Sequence, residues 1–344
     1  MMEFIEFPKL GIHLNINPVA FEIPLGDRAI TVHWYGIIIA TAIMVALALA
    51  TRQTKKFSIK EDDLIDMFLI ALPVSIVFAR LFFVVFTWDS FKNDLLGIFR
   101  VWEGGLAIYG AIIGAVLSVV IYSRRKKVDM LHLMDFACVY LPLAQAIGRW
   151  GNFANQELYG SNTDLPWGMT GSIIQRFPAS GVDGSRLVHP TFLYESLLNI
   201  LVFVILLRLR KKNKVRGSVF AAYLMLYSLV RFTLEFLRTD EFGVDGIRYN
   251  QVFAALVFVG ALVWFIYLRK RALRQEEDAM ETAPSAYAEV LEELDKEEEI
   301  VQTSNASALE AEAESLSDVP QDNADEEQIN EETIKEGADD EIQG

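Results

Sequence analysis

The sequence predicts an all-α polytopic membrane protein, with seven transmembrane helices, an extracytoplasmic N-terminus and loops, and a cytoplasmic C-terminus. Two observations predict it: apolar runs that recur along the chain, and basic residues that cluster in every second loop. A helix of about 20 apolar residues crosses a bilayer core about 30 Å thick. We expect such helices at about residues 32–50, 64–87, 105–122, 130–149, 191–207, 218–237 and 250–268.

The alternative fold is a large soluble helical protein, in which each helix has an apolar stripe and a charged outer face. The run ALVFVGALVWFIYL (255–268) has no polar face, which favours lipid around the helix. The single cysteine, Cys138, lies in the fourth run. We therefore expect it to be a small core residue and not part of a disulfide.

Basic side chains divide the loops into two sets. Lys and Arg cluster in loops 51–60, 123–128 and 208–217 and directly after the last run, whereas the other loops carry only scattered bases. Loops rich in Lys and Arg stay on the cytoplasmic side of a membrane. With seven spans, this rule predicts that the N-terminus and the long loop at about 150–190 are extracytoplasmic.

The chain divides into three predicted segments. Residues 1–31 form an extracytoplasmic segment, in which FEIPLGDRAITVHW (21–34) predicts a β-hairpin around Gly26-Asp27. Residues 32–270 form the seven-helix transmembrane domain. Residues 275–344 carry 25 acidic and two basic side chains and few aromatic ones. This composition predicts that segment 271–344 is a mostly disordered cytoplasmic tail.

Polar side chains recur at similar depth near the extracytoplasmic ends of the predicted spans. They include Tyr35, Tyr109, Arg149, the pair Tyr194-Glu195, and the trio Tyr227, Arg231 and Glu235. The trio is spaced i, i+4, i+8 and therefore shares one helix face. Ionisable groups are costly inside a membrane and usually serve a function. The common depth favours one shared site.

The two arginines, with three glutamates nearby, predict a site for an anion that comes from the outer leaflet. A guanidinium grips a phosphodiester with two parallel, charge-assisted hydrogen bonds, and burial does not deprotonate it. Asn152 and Asn155 add neutral donors. Structural alternatives stay open, because Arg149 could extend its charge to the interface and Arg231 with Glu235 could form an ion pair.

Other chemistries lack support in the sequence. No His/Cys spacing suits zinc, no Gly-rich loop that binds phosphate precedes a helix, and GxSxG is missing. We therefore expect no metal and no cofactor, and no nucleic acid as a partner.

Several motifs together resemble those of the bacterial phosphatidylglycerol–prolipoprotein diacylglyceryl transferase family. They are VHWYG (32–36), GGLAIYG (104–110), GRWGNFANQELYG (148–160), HPTFLYE (189–195) and YSLVRFTLEFLR (227–238), in the order in which the family has them. The resemblance covers roughly residues 15 to 270, so the acidic tail lies outside it.

The resemblance implies a reaction and a location. Such an enzyme moves the diacylglyceryl group of phosphatidylglycerol to the lipobox cysteine thiol of a prolipoprotein signal peptide, and glycerol phosphate leaves. It is a multi-pass protein of the bacterial plasma membrane, in contact with the lipid bilayer, and its active site faces the extracytoplasmic side. A lipid or anion transporter or flippase is the alternative, but no internal repeat supports it.

The resemblance also implies residue roles. Arg149 and Arg231 would engage the lipid phosphate as catalytic groups, and Glu235 would orient Arg231. Asn152, Glu157 and Gly160 belong to the signature around Arg149, whereas Tyr35 and Tyr227 match functional tyrosines, so all five would bind phosphatidylglycerol.

One position departs from the family. Tyr109 stands where many members have a histidine that has been assigned as the base for the thiol. A neutral tyrosine is a poor base for a thiol, because the pKa of tyrosine is about 10 and that of a free thiol is about 8.5. Either the base lies elsewhere, with His189 as one candidate, or a guanidinium stabilises the thiolate directly. By its position in the motif Tyr109 stays a candidate catalytic residue, and its alternative role would be a hydrogen bond to the lipid headgroup.

Overall fold

The structure, a computed structural model, describes residues 3–25, 28–239, 243–244 and 247–316. In this part of the chain, seven helices are long and apolar enough to cross a membrane, which confirms the predicted helical fold with seven spans. The orientation of the termini stays a prediction. We call them spans 1 to 7: Trp34–Thr51, Glu61–Phe86, Ile108–Lys126, Met130–Asn155, Thr191–Lys212, Ser218–Glu235 and Tyr249–Met280.

Successive spans reverse direction, so spans 1, 3, 5 and 7 begin where spans 2, 4 and 6 end. Hydrogen bonds join the start of span 3 to the start of span 7, and the last turns of span 4 to the start of span 5. We call this end of the bundle the cap end, because the N-terminal strands and loop 156–190 fold over it.

The cap contains short strands. They are β1 (Phe4–Phe7), β2 (Ile12–Asn15), β3 (Val19–Leu25), β4 (Arg28–His33) and β5 (Thr170–Gly171), followed by β6 (Gly243–Val244) and β7 (Ile247–Arg248) before span 7. Strand β1 pairs antiparallel with β2 and β5, and β6 pairs with β7. Strands β3 and β4 form the predicted hairpin, although Gly26 and Asp27 lie outside the described residues.

Shorter helical segments fill the connections. They are the helices Trp88–Phe91 and Ser172–Arg176 and the 3-10 turns Pro8–Leu10, Lys55–Phe57, Leu95–Phe99 and Val101–Glu103.

Span 4 differs from the single helix at 130–149 that the sequence predicts. A 3-10 turn at Cys138–Tyr140 interrupts it, and the second segment, Leu141–Asn155, begins with a proline in its first turn. The helix continues past Arg149 until Gln156 adopts a left-handed conformation with φ 53°. Arg149 and Asn152 therefore lie one turn apart on the same helix.

Two apolar cores hold the bundle and the cap. The larger core includes Leu133, Phe136, Val139, Leu206 and Val219, all buried, and also contains Cys138, as predicted. The smaller core lies under the cap, where Ile5, Met169 and Val188 pack with Phe153 of span 4 and Phe192 of span 5. It ties β1 and loop 156–190 to the two spans.

Spans 2 and 3 pack closely through the pair Gly110-x-x-x-Gly114. A Cβ atom on Gly114 would lie 2.9 Å from Phe78 Cβ and 3.0 Å from Ser75 Cα. A Cβ on Gly110 would lie 2.7 Å from Phe82 Cβ. Small residues of this kind let two membrane helices approach each other.

Arg80, in span 2, is only 6% exposed and has a structural environment. Its guanidinium donates hydrogen bonds to five main-chain carbonyls of the loop before span 3, those of Gly97, Ile98, Arg100, Gly104 and Gly105. It therefore fixes this loop, and with it the start of span 3, against span 2.

The last helix continues beyond span 7 to Leu316, and its residues from Gln275 belong to a second compact unit. The side chains described between Gln275 and Ala308 are exposed. Residues 317–344 lie outside the described residues, and the disorder of the acidic tail stays a prediction.

The contact between spans 2 and 3 gives a stability prediction. Gly114→Leu should lower the free energy of unfolding by about 1–3 kcal/mol, because the larger side chain overpacks a filled interface. Thermal unfolding in detergent measures the change. Gly260→Ala is the control and should cost no stability, because a Cβ atom at this helical glycine would meet nothing within 4 Å. Equal melting temperatures for Gly114→Leu and the unaltered protein would contradict the prediction.

Candidate functional site

Six of the seven spans bring polar side chains to one cluster at the cap end. These side chains come from the starts of spans 1, 3, 5 and 7 and from the last turns of spans 4 and 6. The members are Tyr35, Tyr109, Arg149, Asn152, Glu195, Arg231, Glu235 and Asn250. The common depth that the sequence predicts therefore corresponds to a common location for most of these residues.

Glu195 joins the two predicted arginines. Its Oε1 accepts a hydrogen bond of 2.6 Å from Nη2 of Arg149, and its Oε2 lies 3.8 Å from Nη1 of Arg231. The Glu195 side chain is 3% exposed, whereas each arginine side chain is 20% exposed. Two guanidiniums from different spans thus converge on one buried carboxylate and keep an accessible surface.

Arg149 is also held within its own helix. Its Nη1 donates to Oδ1 of Asn152 over 3.1 Å, and the amide of Asn152 donates to Glu157 over 2.8 Å. Asn155 adds a longer hydrogen bond to the same carboxylate. Asn152 is buried and Glu157 is exposed, so this chain of contacts runs from Arg149 towards the surface.

Glu235 organises the other half of the cluster. Its Oε2 accepts a hydrogen bond of 3.3 Å from Nη2 of Arg231, one helical turn earlier, and lies 3.9 Å from Nε of Arg238. Its Oε1 accepts a hydrogen bond of 3.0 Å from the amide of Asn250 in span 7. Arg248 donates to its main-chain carbonyl. The i, i+4 contact between Arg231 and Glu235 agrees with the predicted common face.

Tyr109 approaches this half from span 3. Its hydroxyl donates to Oδ1 of Asn250 over 3.3 Å, and its ring meets the ring of Phe253 edge-on at 5.7 Å. The tyrosine is 44% exposed. The phenol is therefore linked to Glu235 through one amide.

The other predicted tyrosines lie against the helices of the cluster. A Cβ atom on Gly151 would lie 2.8 Å from Cδ2 of Tyr35, so the missing side chain lets span 1 pack on span 4 at this point. Tyr227 lies one turn before Arg231, and its ring stacks on Tyr223 at 5.9 Å.

Gly160 occupies a tight position beside the cluster. Its N–H donates to the carbonyl of His189 over 2.9 Å, and a Cβ atom there would lie 2.8 Å from both His189 Cβ and the carbonyl oxygen of Leu237. This glycine lets loop 156–190 lie directly on the turn that follows span 6 and on the start of span 5.

His189 forms part of a separate polar chain. Its Nδ1 lies 3.2 Å from the hydroxyl of Tyr194, which accepts a 2.7 Å hydrogen bond from the indole of Trp167. Because the indole N–H can only donate, the phenol proton is available for Nδ1. Burial lowers the pKa of His189, so the neutral ring dominates at pH 7.

The cluster is suited to bind one small anion. Through the contacts above it links four guanidiniums, those of Arg149, Arg231, Arg238 and Arg248, with three carboxylates. One phosphodiester would therefore balance its charge. Among the described residues, no group of three or more His, Cys, Asp or Glu side chains could hold a metal ion.

Sequence reasoning missed the roles of two residues. Glu195 was recognised as a nearby carboxylate, but nothing in its motif indicates that it bridges two arginines on other spans. Asn250 lies at the start of span 7, outside the motifs quoted above, so no pattern singles it out. Both roles depend on contacts between spans.

Comparison with known proteins shows which family this sequence matches. The sequence model of the family described as "Prolipoprotein diacylglyceryl transferase" matches residues 18–267. The chain is 42% identical over 256 residues to the phosphatidylglycerol–prolipoprotein diacylglyceryl transferase of Listeria monocytogenes serotype 4a (strain HCC23), which covers 74% of this chain and 90% of the relative. It is 40% identical over 242 residues to the protein of that name from Clostridioides difficile (strain 630), covering 70% and 93%. The match with the protein of that name from Pediococcus pentosaceus is 40% over 272 residues, covering 77% and 95%.

The matched region contains all seven spans except the last turns of span 7, together with every residue of the cluster. The apolar helices and these relatives agree on a multi-pass membrane enzyme. The chain belongs to the prolipoprotein diacylglyceryl transferase family.

Proposed function

We propose that this protein transfers the diacylglyceryl group of phosphatidylglycerol to the lipobox cysteine of prolipoproteins, with the cap end on the extracytoplasmic side. The observation that carries the proposal is the convergence of Arg149 and Arg231 on Glu195. Such a pair of guanidiniums, partly exposed and surrounded by apolar helices, suits the phosphodiester of a lipid whose chains remain in the bilayer.

The reaction is a displacement at the glyceryl carbon that bears the phosphate. The cysteine thiolate attacks this carbon, a C–S bond forms, and the C–O bond to the phosphate breaks. The electron pair of that bond moves to the phosphate oxygen, and glycerol phosphate leaves. Arg149 and Arg231 stabilise the charge that develops on the oxygens, an effect worth several kcal/mol in a site that excludes water.

The arginines have donors left for this task. In the described hydrogen bonds, Arg149 uses two of its five N–H groups and Arg231 uses one. Glu195 and Glu235 offset the repulsion between the two cations and keep them close to each other. When the phosphate binds, the remaining N–H groups can turn to its oxygens without loss of the carboxylate contacts.

The thiol proton needs no strong base in this arrangement. Tyr109 donates its proton to Asn250, and a neutral phenol is a poor base for a thiol. The hydroxyl of Tyr194 donates a hydrogen bond to Nδ1 of His189, the candidate base. The lone pair of this nitrogen is therefore already engaged. We therefore favour stabilisation of the thiolate by the guanidiniums, with the proton finally on the released phosphate.

Phosphatidylglycerol reaches the site sideways from the outer leaflet. A cavity of about 400 Å³ lies between spans 6 and 7 and is lined by apolar side chains such as Phe232, Val252 and Leu256. Leu256 is 67% exposed, so the cavity is continuous with the apolar surface of the bundle. Arg248 lines the same cavity and contacts Glu235, which puts the cavity beside the arginine cluster. An open apolar cavity of this size suits part of an acyl chain.

A direct assay tests the function. Purified protein in detergent is incubated with phosphatidylglycerol and a peptide that contains a lipobox, and mass spectrometry detects the diacylglyceryl adduct on the peptide. We expect the adduct on the cysteine peptide and none on the same peptide with serine. If purified, folded protein gives no adduct, the proposal is wrong.

Arg231→Lys should lower the transfer rate about 100-fold or more, although the protein still inserts. Lysine keeps the charge but loses the two parallel donors, and the loss of one oriented donor to a developing oxyanion costs about 10²–10³-fold. The initial rate of adduct formation measures it.

Arg186→Lys is the matched control. Arg186 lies in loop 156–190, and both it and its partner Asp164 are exposed, so the rate should not change. An Arg231→Lys protein with full activity would exclude the bidentate grip on the phosphate.

Glu195→Gln should lower the transfer rate about tenfold or more. The amide has no negative charge, and its NH₂ group would face one of the two cations. The guanidiniums would therefore repel each other and lose their fixed directions, and small misplacements are costly in catalysis. The same assay measures the rate, and thermal unfolding reports stability. Glu22→Gln, at an exposed position in the β3–β4 hairpin, is the control. An unchanged rate in Glu195→Gln would show that the bridge does not orient the arginines.

A further inference from the structure

We propose that Asn250 is a positioning residue for this transfer, because its side-chain amide ties Tyr109 to Glu235 and so fixes the carboxylate that directs Arg231. The proposal rests on the function proposed above and adds span 7 to the groups that set the geometry of the site. It concerns orientation, since the described contacts of Asn250 are with other side chains of the cluster.

Asn250 is the second residue of the last helix, and its side chain is half-buried. It makes two hydrogen bonds with different spans: its Nδ2 donates to Oε1 of Glu235, and its Oδ1 accepts from the hydroxyl of Tyr109. A T-shaped contact between Tyr109 and Phe253, one turn further along the helix, supports the second of these. Spans 3, 6 and 7 therefore meet at this single amide.

The chemistry of the partners fixes which way the amide points. An ionised carboxylate can only accept, so the NH₂ group must face Glu235. The carbonyl then faces Tyr109, whose hydroxyl can donate to it. An amide offers a donor and an acceptor on one planar group, and this combination suits a position between a carboxylate and a phenol.

Asn250 is the described partner of Oε1 of Glu235, while the described cationic partners, Arg231 and Arg238, both approach Oε2. The Glu235 side chain is 2% exposed, so water is a poor substitute for a lost donor. Without the amide, the Glu235 carboxylate would recover a hydrogen-bond donor for Oε1 by turning both of its oxygens to Arg231. The guanidinium would then be held more tightly by protein and would be less directed towards a phosphate.

The contact cannot carry a proton from Tyr109 to Glu235. The amide receives a hydrogen bond at oxygen and donates one from nitrogen, and it has no acidic or basic group near neutral pH. Its contribution is therefore geometric. This separates the proposal from any assignment of the base for the thiol.

Asn250→Asp tests the proposal with a readout that a general loss of structure would not reproduce. The new carboxylate has the same shape as the amide, but it places a second negative charge beside Glu235. At pH 8 both would be charged and repel each other, and we expect kcat about tenfold lower than in the unaltered protein. At lower pH the two carboxylates share one proton, and the resulting O–H donates where the amide did.

The expected sign follows from this shared proton. The transfer rate of Asn250→Asp relative to the unaltered protein should rise roughly threefold or more from pH 8 to pH 5.5, because protonation restores the donor to Glu235. Asn250→Ala has no group that titrates, so its relative rate should be low and flat with pH. Tyr249→Phe, at the exposed neighbouring residue, is the control with an unchanged rate.

Several charged or titratable groups face residue 250 directly or through Glu235. They are Glu235, Arg231 and Arg238 on span 6, Tyr109 on span 3, Arg248 on β7, and Glu195 on span 5 behind Arg231. Apart from the carboxylate pair that the substitution creates, the titration of these groups occurs in both proteins. It therefore cancels when the rates are expressed as a ratio at each pH.

The outcomes separate the two proposals. If the unaltered protein forms no adduct, the proposed function and this inference both fail. If it is active and the relative rate of Asn250→Asp is flat with pH, or Asn250→Ala has a normal rate, this inference alone is overturned. If Asn250→Asp does not fold, Asn250→Ala in a Glu235→Gln background decides. If Asn250 acts through Glu235, Asn250→Ala should not lower the transfer rate further in that background. A further, additive loss of rate overturns the proposal.

Discussion

The carboxylate of Glu195, shared between two arginines, holds the whole site together. Two guanidiniums cannot remain close together among apolar helices unless an anion lies between them, because their repulsion and desolvation are both large in a low dielectric. Glu195 supplies that anion from a third span and is almost fully buried. The same contact that offsets the repulsion between the two cations also directs both of them to one place, where a phosphate can bind.

The fold maintains this arrangement by packing, because ion pairs alone do not fix helix positions. The smaller core joins Phe153 of span 4 to Phe192 of span 5, close in sequence to Arg149 and Glu195. Gly151 and Gly160 allow span 1 and loop 156–190 to approach the same region. The charged cluster is thus enclosed by contacts that leave little freedom to its backbone. Rigid surroundings of this kind are what electrostatic stabilisation of a transition state requires.

Other buried arginines of this chain illustrate the difference between a structural and a functional guanidinium. Arg80 donates to five main-chain carbonyls, and Arg210 donates to the carbonyl of Phe136, to Gln53 and to Tyr140 among three aromatic rings. Both are 6% exposed, and neutral acceptors surround them. Arg149 and Arg231 instead face carboxylates and retain an accessible surface. An arginine whose charge is balanced by a carboxylate, and which has unused N–H groups, can bind a second anion or exchange one anion for another.

Local patterns in the amino-acid sequence were enough to predict the number and approximate limits of the spans and to single out Arg149, Arg231 and Glu235. Hydropathy and helical periodicity are local properties, so 20-residue runs and i, i+4 spacings carry this information directly. The packed helices were needed to show that a 3-10 turn at Cys138–Tyr140 interrupts span 4, that Arg80 holds a loop, and that Glu195 and Asn250 connect separate spans. These features depend on which helices are neighbours, and residues far apart in sequence meet only after the helices have packed.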